Sequence, residues 1–219
     1  VRDLKQRVQK LEEIHKEVTS SINYAKRIQE AVLPVSENSR AIIGEHFILF
    51  KPKDIVSGDF YWTTKINNWL IVAVADCTGH GVPGAFMSML GISFLNEIVQ
   101  KQEINKANQI LNILREEVIN ALQQKGVQGE QKDGMDISLL VININTNEVQ
   151  WAGANNPLYI VSSSQSPISS QFSANCQLLT ADCRLFELKG DKMPIAIYPE
   201  MKDFTNYDFK LEKGDSVYL

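Results

Sequence analysis

The chain has 219 residues, of which 44% are hydrophobic and 22% charged, with a formal net charge of −4. That composition fits one large globular domain with an extra element, and it excludes a disordered tail or a disulfide scaffold. The acidic balance argues against nucleic-acid binding, which rewards clustered Lys and Arg, and no run approaches the ~18 consecutive apolar residues of a membrane span.

Three cysteines, Cys77, Cys176 and Cys183, form neither an even set nor a metal-type spacing. They point to a reducing, cytoplasmic setting, including the cytosolic part of a larger sensor protein. Val1 in place of Met, and a strand-like Val217-Tyr218-Leu219 at the other end, give the expectation that the chain is a fragment of a longer protein.

Residues 1–34 read as one helix. Leu4, Val8, Leu11, His15, Val18, Ile22, Ala25, Gln29 and Val32 alternate in steps of four and three, a heptad seam with polar breaks at His15 and Gln29. Pro34 stops it. The pattern predicts a coiled coil that joins two copies of the chain and links to an upstream sensor domain, with the last turns packed on the following domain. An amphipathic helix lying wholly on its own domain is the alternative.

From residue 36 to 219 a second unit is expected. His46–Phe50, Phe60–Thr64 and Trp69–Ala75 are β-like, the last two joined by a hairpin turn at Asn67-Asn68. Ala85–Gln100 and Lys106–Lys125 carry helical periodicity, and Gly126–Lys132 is a polar loop. Ile137–Ile144 and Glu148–Ala152 form a second hairpin, followed by a strand at Leu158–Val161. The serine-rich stretch Ser162–Asn175 reads as a loop or insertion. Cys176–Leu188 and Phe204–Leu211 are β-like, with Lys213-Gly214-Asp215 turning into a final strand. Strands, two adjacent helices, then more strands predict an α+β fold with helices covering antiparallel sheet.

Chemistry concentrates between Lys51 and Ser88. Gly79-His80-Gly81-Val82-Pro83-Gly84 satisfies the G-x-G-x-x-G pattern of dinucleotide sites. That function needs a parallel strand after the helix, and a second helix follows instead. A tight strand-to-helix turn is the better reading of these glycines. The aspartates say more. Counting outward from the Asn67-Asn68 turn places Asp59 and Asp76 opposite each other at one end of the hairpin. Facing carboxylates repel unless a cation or proton lies between them. An all-oxygen donor set suits Mg²⁺ or Mn²⁺ better than zinc; two turn-forming aspartates remain the alternative.

Asp133 and Asp136 precede another strand and are either further metal ligands or loop caps. Lys51 and Lys53 are either phosphate contacts or surface lysines. His80 is either an acid or a partner for a backbone group. Asn155-Asn156-Pro157 is a turn whose amides could bond carbonyls near the site.

SGDFYW, ADCTGHGVPGAFMS, DGMDISLLVI and WAGANNPLYIV, in that order, resemble the SpoIIE-type, RsbU-like branch of the PPM serine/threonine phosphatases, relatives of protein phosphatase 2C. The preceding SINYAKRIQEAVLP resembles the helix that links that domain to sensor modules. The resemblance implies an αββα sandwich with two Mn²⁺ or Mg²⁺ ions at one end. It gives Asp59 as the bridging carboxylate, Asp76 as a ligand of one metal and Cys77 as a donor through its backbone carbonyl. A hydroxide formed between the cations would attack phosphoserine or phosphothreonine directly, typically on an anti-sigma-factor antagonist of the STAS type. The family's remaining metal aspartates fall after a strand like GDSVYL, so the expectation is a C-terminally truncated domain, weakly active or inactive by itself. A catalytically dead module that only binds or dimerises is the competing class.

Overall fold

The computed structural model describes residues 2–34, 43–101, 106–127, 129, 132–163, 168, 176–180 and 183–219. Helix α1 spans Arg2–Val32, and two further helices, α2 (Gly81–Lys101) and α3 (Ala107–Ala121), follow the first hairpin. Nine strands complete the described chain: β1 (Phe60–Ile66), β2 (Trp69–Cys77), β3 (Met135–Asn143), β4 (Glu148–Ala154), β5 (Leu158–Ser163), β6 (Cys176–Thr180), β7 (Cys183–Leu188), β8 (Tyr207–Lys210) and β9 (Ser216–Tyr218).

They make two sheets, one ordered β1-β2-β3-β4-β8 and one ordered β6-β7-β5-β9. Every strand pair in both is antiparallel. This is the expected α+β arrangement, and it removes the parallel crossover a dinucleotide site requires.

Side-chain alternation sorts the faces. Ile71, Ala73, Ala75 and Cys77 of β2, and Met135, Ile137, Leu139 and Val141 of β3, share one core with Leu95, Ile98, Ile110, Leu111 and Leu114 of α2 and α3. A second core lies between the sheets, built from Leu140, Trp151, Leu158, Ile160, Phe186, Leu188 and Phe209. Trp151 is fully buried, and its indole N–H donates to Ser138 Oγ at 2.8 Å. Three layers of the expected sandwich are thus present among the described residues: helices, sheet, sheet. Helix α2 is long and apolar enough to cross a membrane by length and composition, but its Met87, Ile92, Leu95, Ile98 and Val99 are buried in the helix-side core.

Several boundaries differ from the sequence expectation. His46–Phe50 forms no strand. Phe50 stacks edge-on against Tyr61 and Phe47 against Tyr218, so the segment is held by ring contacts rather than by a ladder. Helix α2 starts four residues before Ala85, because Pro83 fits the first turn, where its missing N–H is harmless. Helix α3 ends short of Lys125, because Gln123 turns left-handed at φ 52°. Strand β3 begins two residues before Ile137, which brings Asp136 into the sheet. Most of Ser162–Asn175 lies outside the described residues. Ser162 itself ends up buried in β5, donating to Asp215 Oδ1.

The heptad seam of α1 divides. Leu4, Leu11 and Val18 are 67%, 66% and 52% exposed, while Gln29 is buried against the domain and Ile22 and Ala25 are half-buried; at the helix end Val32 stays exposed and its neighbour Leu33, off the seam, is the buried one.

Candidate functional site

The hairpin β1–β2 is in the register the sequence predicts. Phe60 pairs with Ala75 and Ile66 with Trp69, so the residues just beyond the ladder, Asp59 and Asp76, stand opposite each other. Asp76 is in turn the direct partner of Asp136 across β2–β3. Directly opposed antiparallel residues share a face. Ala75, Cys77, Met135 and Ile137 point to the helices, so Asp76 and Asp136 point the other way, toward the second sheet. Three carboxylates therefore form one row across the end of three adjacent strands.

The row is electrostatically uncomfortable. Asp59 and Asp76 carboxyls lie within hydrogen-bonding reach, and Asp59 is pushed above the ordinary aspartate range, first by desolvation, then by that contact and by the charge of Asp76. Asp136 is also raised, mainly by desolvation and further by Asp76, although the amide of Asn155 opposes the shift. Asn155 Nδ2 donates to Asp136 Oδ1 at 2.8 Å. Lys51 and Lys53 are both exposed.

Cys77 contributes its backbone. Thr78 N–H donates to Gly134 O at 2.9 Å on the β3 side. Because a trans peptide points its C=O and N–H oppositely, the Cys77 carbonyl faces the β1 side. A Cβ placed on Gly58 would lie 3.3 Å from that oxygen. The Cys77 thiol is buried among apolar groups and beside Asp76 and Asp59, which drives its pKa far up and leaves it inert.

The glycines explain how the two loops approach. A Cβ on Gly58 would sit 2.7 Å from Gly79 O, and one on Gly84 would sit 2.6 Å from the same oxygen and 3.0 Å from Gly58 Cα. Gly79 itself has φ 85°, which costs glycine nothing. The G-x-G-x-x-G pattern thus serves close contact between the SGD loop and the start of α2.

His80 has a carboxylate partner rather than a backbone one: its Nδ1 lies 2.7 Å from Asp54 Oδ2, tying the turn to the segment that leads into Ser57-Gly58-Asp59. Asp133 lies before β3, off the row. Its backbone carbonyl accepts from Gln124 Nε2 at 2.5 Å.

Two features were hidden in the sequence. Gln29, a polar break in the α1 seam, hydrogen-bonds Ser57 and Ser88; its place in an otherwise apolar seam was the available signal. Asn155 bonds a carboxylate rather than the carbonyls expected of it, and only the pairing of β3 with β4 places it there.

Among the described residues no three His, Cys, Asp or Glu side chains converge into a finished metal cage. What is present fits a hard divalent cation in its donor chemistry: opposed carboxylates that resist sharing a site unless a cation joins them, with a main-chain carbonyl turned to the same side.

A helix-covered pair of antiparallel sheets is the fold of PP2C-type phosphatase domains. It resembles the SiaA PP2C domain of Pseudomonas aeruginosa with a TM-score of 0.72 and 28% identity, covering 93% of this chain and 71% of that one. The chain belongs to the SpoIIE family, the family of stage II sporulation protein E, whose model matches residues 67–219. It is also 25% identical over 214 residues to phosphoserine phosphatase RsbU of Bacillus subtilis (strain 168), covering 96% of this chain and 55% of that protein. The chain therefore spans about half the length of that curated relative. The PP2C domain of SpoIIE from Bacillus subtilis shares the fold at a TM-score of 0.50 and 19% identity, covering 73% of this chain and 39% of that one.

Proposed function

We propose that the chain is the catalytic part of a metal-dependent protein serine/threonine phosphatase in a signalling protein. It would hydrolyse phosphoserine or phosphothreonine, on a STAS-type antagonist protein by the resemblance stated above. The observation that carries this reading is the opposition of Asp59 and Asp76, with Asp59 held above its ordinary range by its neighbour.

Asp59, Asp76 and the Cys77 carbonyl are the groups that would hold Mn²⁺ or Mg²⁺, two ions in the complete domain. The metal would supply Lewis acidity toward water and the phosphoryl oxygens. The chain's own part is positioning. The hairpin register sets the spacing of the two carboxylates, and the Gly58–Gly79–Gly84 contact holds the SGD loop against the start of α2. The Asp54–His80 pair fixes the turn between them.

Residues 1–34 are read as a regulatory linker and residues 36–219 as the phosphatase domain. The exposed half of α1 joins two copies and connects to an upstream sensor. The test is phosphate release from a phosphoserine protein with and without Mn²⁺, beside Asp76→Asn. Release that requires Mn²⁺ and is lost in the variant supports the proposal; release indifferent to both overturns it.

A second reading, a phosphatase-shaped module that only binds or dimerises, is favoured by the unpartnered apolar side of α1. It predicts self-association and phosphoprotein binding without turnover.

A further inference from the structure

Strand β4 ends in an unusual turn. Asn156 N–H reaches back to Ala154 O at 2.6 Å, closing three residues around Asn155, whose φ is 57°. Three-residue turns with a positive central φ are rare and strained, and among non-glycine residues Asn tolerates left-handed backbone best. The turn is held from outside. Asn155 N–H donates to Asp191 O at 2.8 Å, and Asp191 N–H donates to Gly153 O at 2.9 Å. The Asp191 carboxylate is itself fixed, accepting from Thr205 N–H at 2.7 Å and Thr205 Oγ1 at 3.0 Å. There is no space for an easier alternative at the turn's base: a Cβ on Gly190 would lie 2.6 Å from Asn156 O.

All of this backbone restraint delivers one side-chain contact to the row of carboxylates, the 2.8 Å bond from Asn155 Nδ2 to Asp136 Oδ1. Asp136 directly faces Asp76 across the ladder. An amide that occupies one oxygen of a carboxylate sets the direction of the other, as the outer partners of metal ligands commonly do.

We propose that Asn155 is a positioning residue for the centre: its amide holds Asp136 in line with Asp76, so that Asp136 adds to the cation affinity of the Asp59–Asp76 pair. This rests on the metal-dependent reading above. The strained turn is then the means by which the chain brings an uncharged donor to a carboxylate that already has an anionic neighbour.

The test is Mn²⁺ affinity of the full chain by calorimetry, with the melting temperature of the metal-free protein as the check on folding. Asn155→Gly keeps the positive φ and removes only the amide. The expected result is a loss of Mn²⁺ affinity of about 10–100-fold, the range typical of removing an outer partner of a ligand, with the metal-free melting temperature not lowered. A double-mutant cycle supplies the readout that a merely structural role would not produce. In an Asp136→Asn background, Asn155→Gly should weaken binding no further.

Unchanged affinity in Asn155→Gly, or losses that simply add in the double variant, would overturn the proposal while leaving the Asp59–Asp76 site standing. Absence of saturable Mn²⁺ binding by the unmutated chain would overturn the metal-dependent reading, and this inference with it.

Discussion

Gln29 grips the backbone of Ser57 on both sides. Its Nε2 donates to Ser57 O at 2.6 Å, and its Oε1 accepts from Ser57 N–H at 3.0 Å. The same Nε2 lies 2.8 Å from Ser88 Oγ on α2. Ser57 is two residues from Asp59, so the last turn of the N-terminal helix is bonded directly to the loop that carries the first carboxylate.

Gln29→Ala would leave the buried Ser57 N–H without its partner and Ser57 O with only the 3.3 Å bond from Ser88 Oγ. An unsatisfied buried polar group costs about 1–3 kcal/mol, which for a domain of this size lowers the melting temperature by roughly 2–4 °C per kcal/mol. Divalent-cation affinity should fall as well, because the SGD loop loses its anchor. Differential scanning fluorimetry with and without Mn²⁺ reads both effects. A variant that melts and binds as the parent does would remove the link between α1 and the site.

The raised carboxyls set a sign for pH. A group whose folded pKa lies above its unfolded value gives stability that is fully present below the unfolded pKa and lost as pH rises through the folded one. Asp59 and Asp136 are of this kind. Without metal, Asp59→Asn should therefore melt higher than the parent at pH 7. The gap should close as pH falls through the carboxylate range. With saturating Mn²⁺ at pH 7 the order should reverse, since the parent gains a bound ion and the variant does not. Melting curves of the two proteins across pH, with and without Mn²⁺, decide it.

Gly84→Ala tests the loop contact. Its methyl group would meet Gly79 O at 2.6 Å and Gly58 Cα at 3.0 Å, both backbone atoms that cannot swing aside. Overpacking of this kind costs about 1–3 kcal/mol, and displacement of the SGD loop should lower cation affinity too. Denaturant midpoints of the parent and the variant measure the first effect. A fully stable variant would mean that the loops have room the structure does not give them.

How much of this was legible in the sequence depends on how local the signal was. The Asn67-Asn68 turn fixes the hairpin, and a strand's period of two then forces Asp59 opposite Asp76. No tertiary information is needed for that step. Asp136 was expected just before a strand, as a metal ligand or a loop cap. The pairing of β2 with β3 starts β3 at Met135 and takes Asp136 into the ladder, and pairing across sequence-distant strands leaves no local trace. Asn155 was recognisable as a turn residue, but its carboxylate partner lies across the β3–β4 ladder. His46–Phe50 looked like a strand by composition, yet a strand needs a neighbour, and none pairs with it among the described residues. The 4-3 spacing of α1 was legible as a helix, and residues 2–32 are one. Its division into an exposed half and a docked half follows from where Ser57 and Ser88 happen to sit.

That division predicts the behaviour of the free half. Leu11→Lys with Val18→Lys places charge in the exposed seam and touches nothing buried. Light scattering should show reduced self-association, while the melting temperature of the domain changes little, as is usual for surface substitutions. An unchanged association state would show that the seam does not join two copies.

The most direct measurement is Mn²⁺ binding to the 219-residue chain beside Asp59→Asn, Asp76→Asn and Cys77→Ala. The account predicts saturable binding by the parent, its loss in both aspartate variants, and its retention in Cys77→Ala, where the backbone carbonyl remains. Binding that survives Asp76→Asn, or that disappears with the Cys77 thiol, would contradict it.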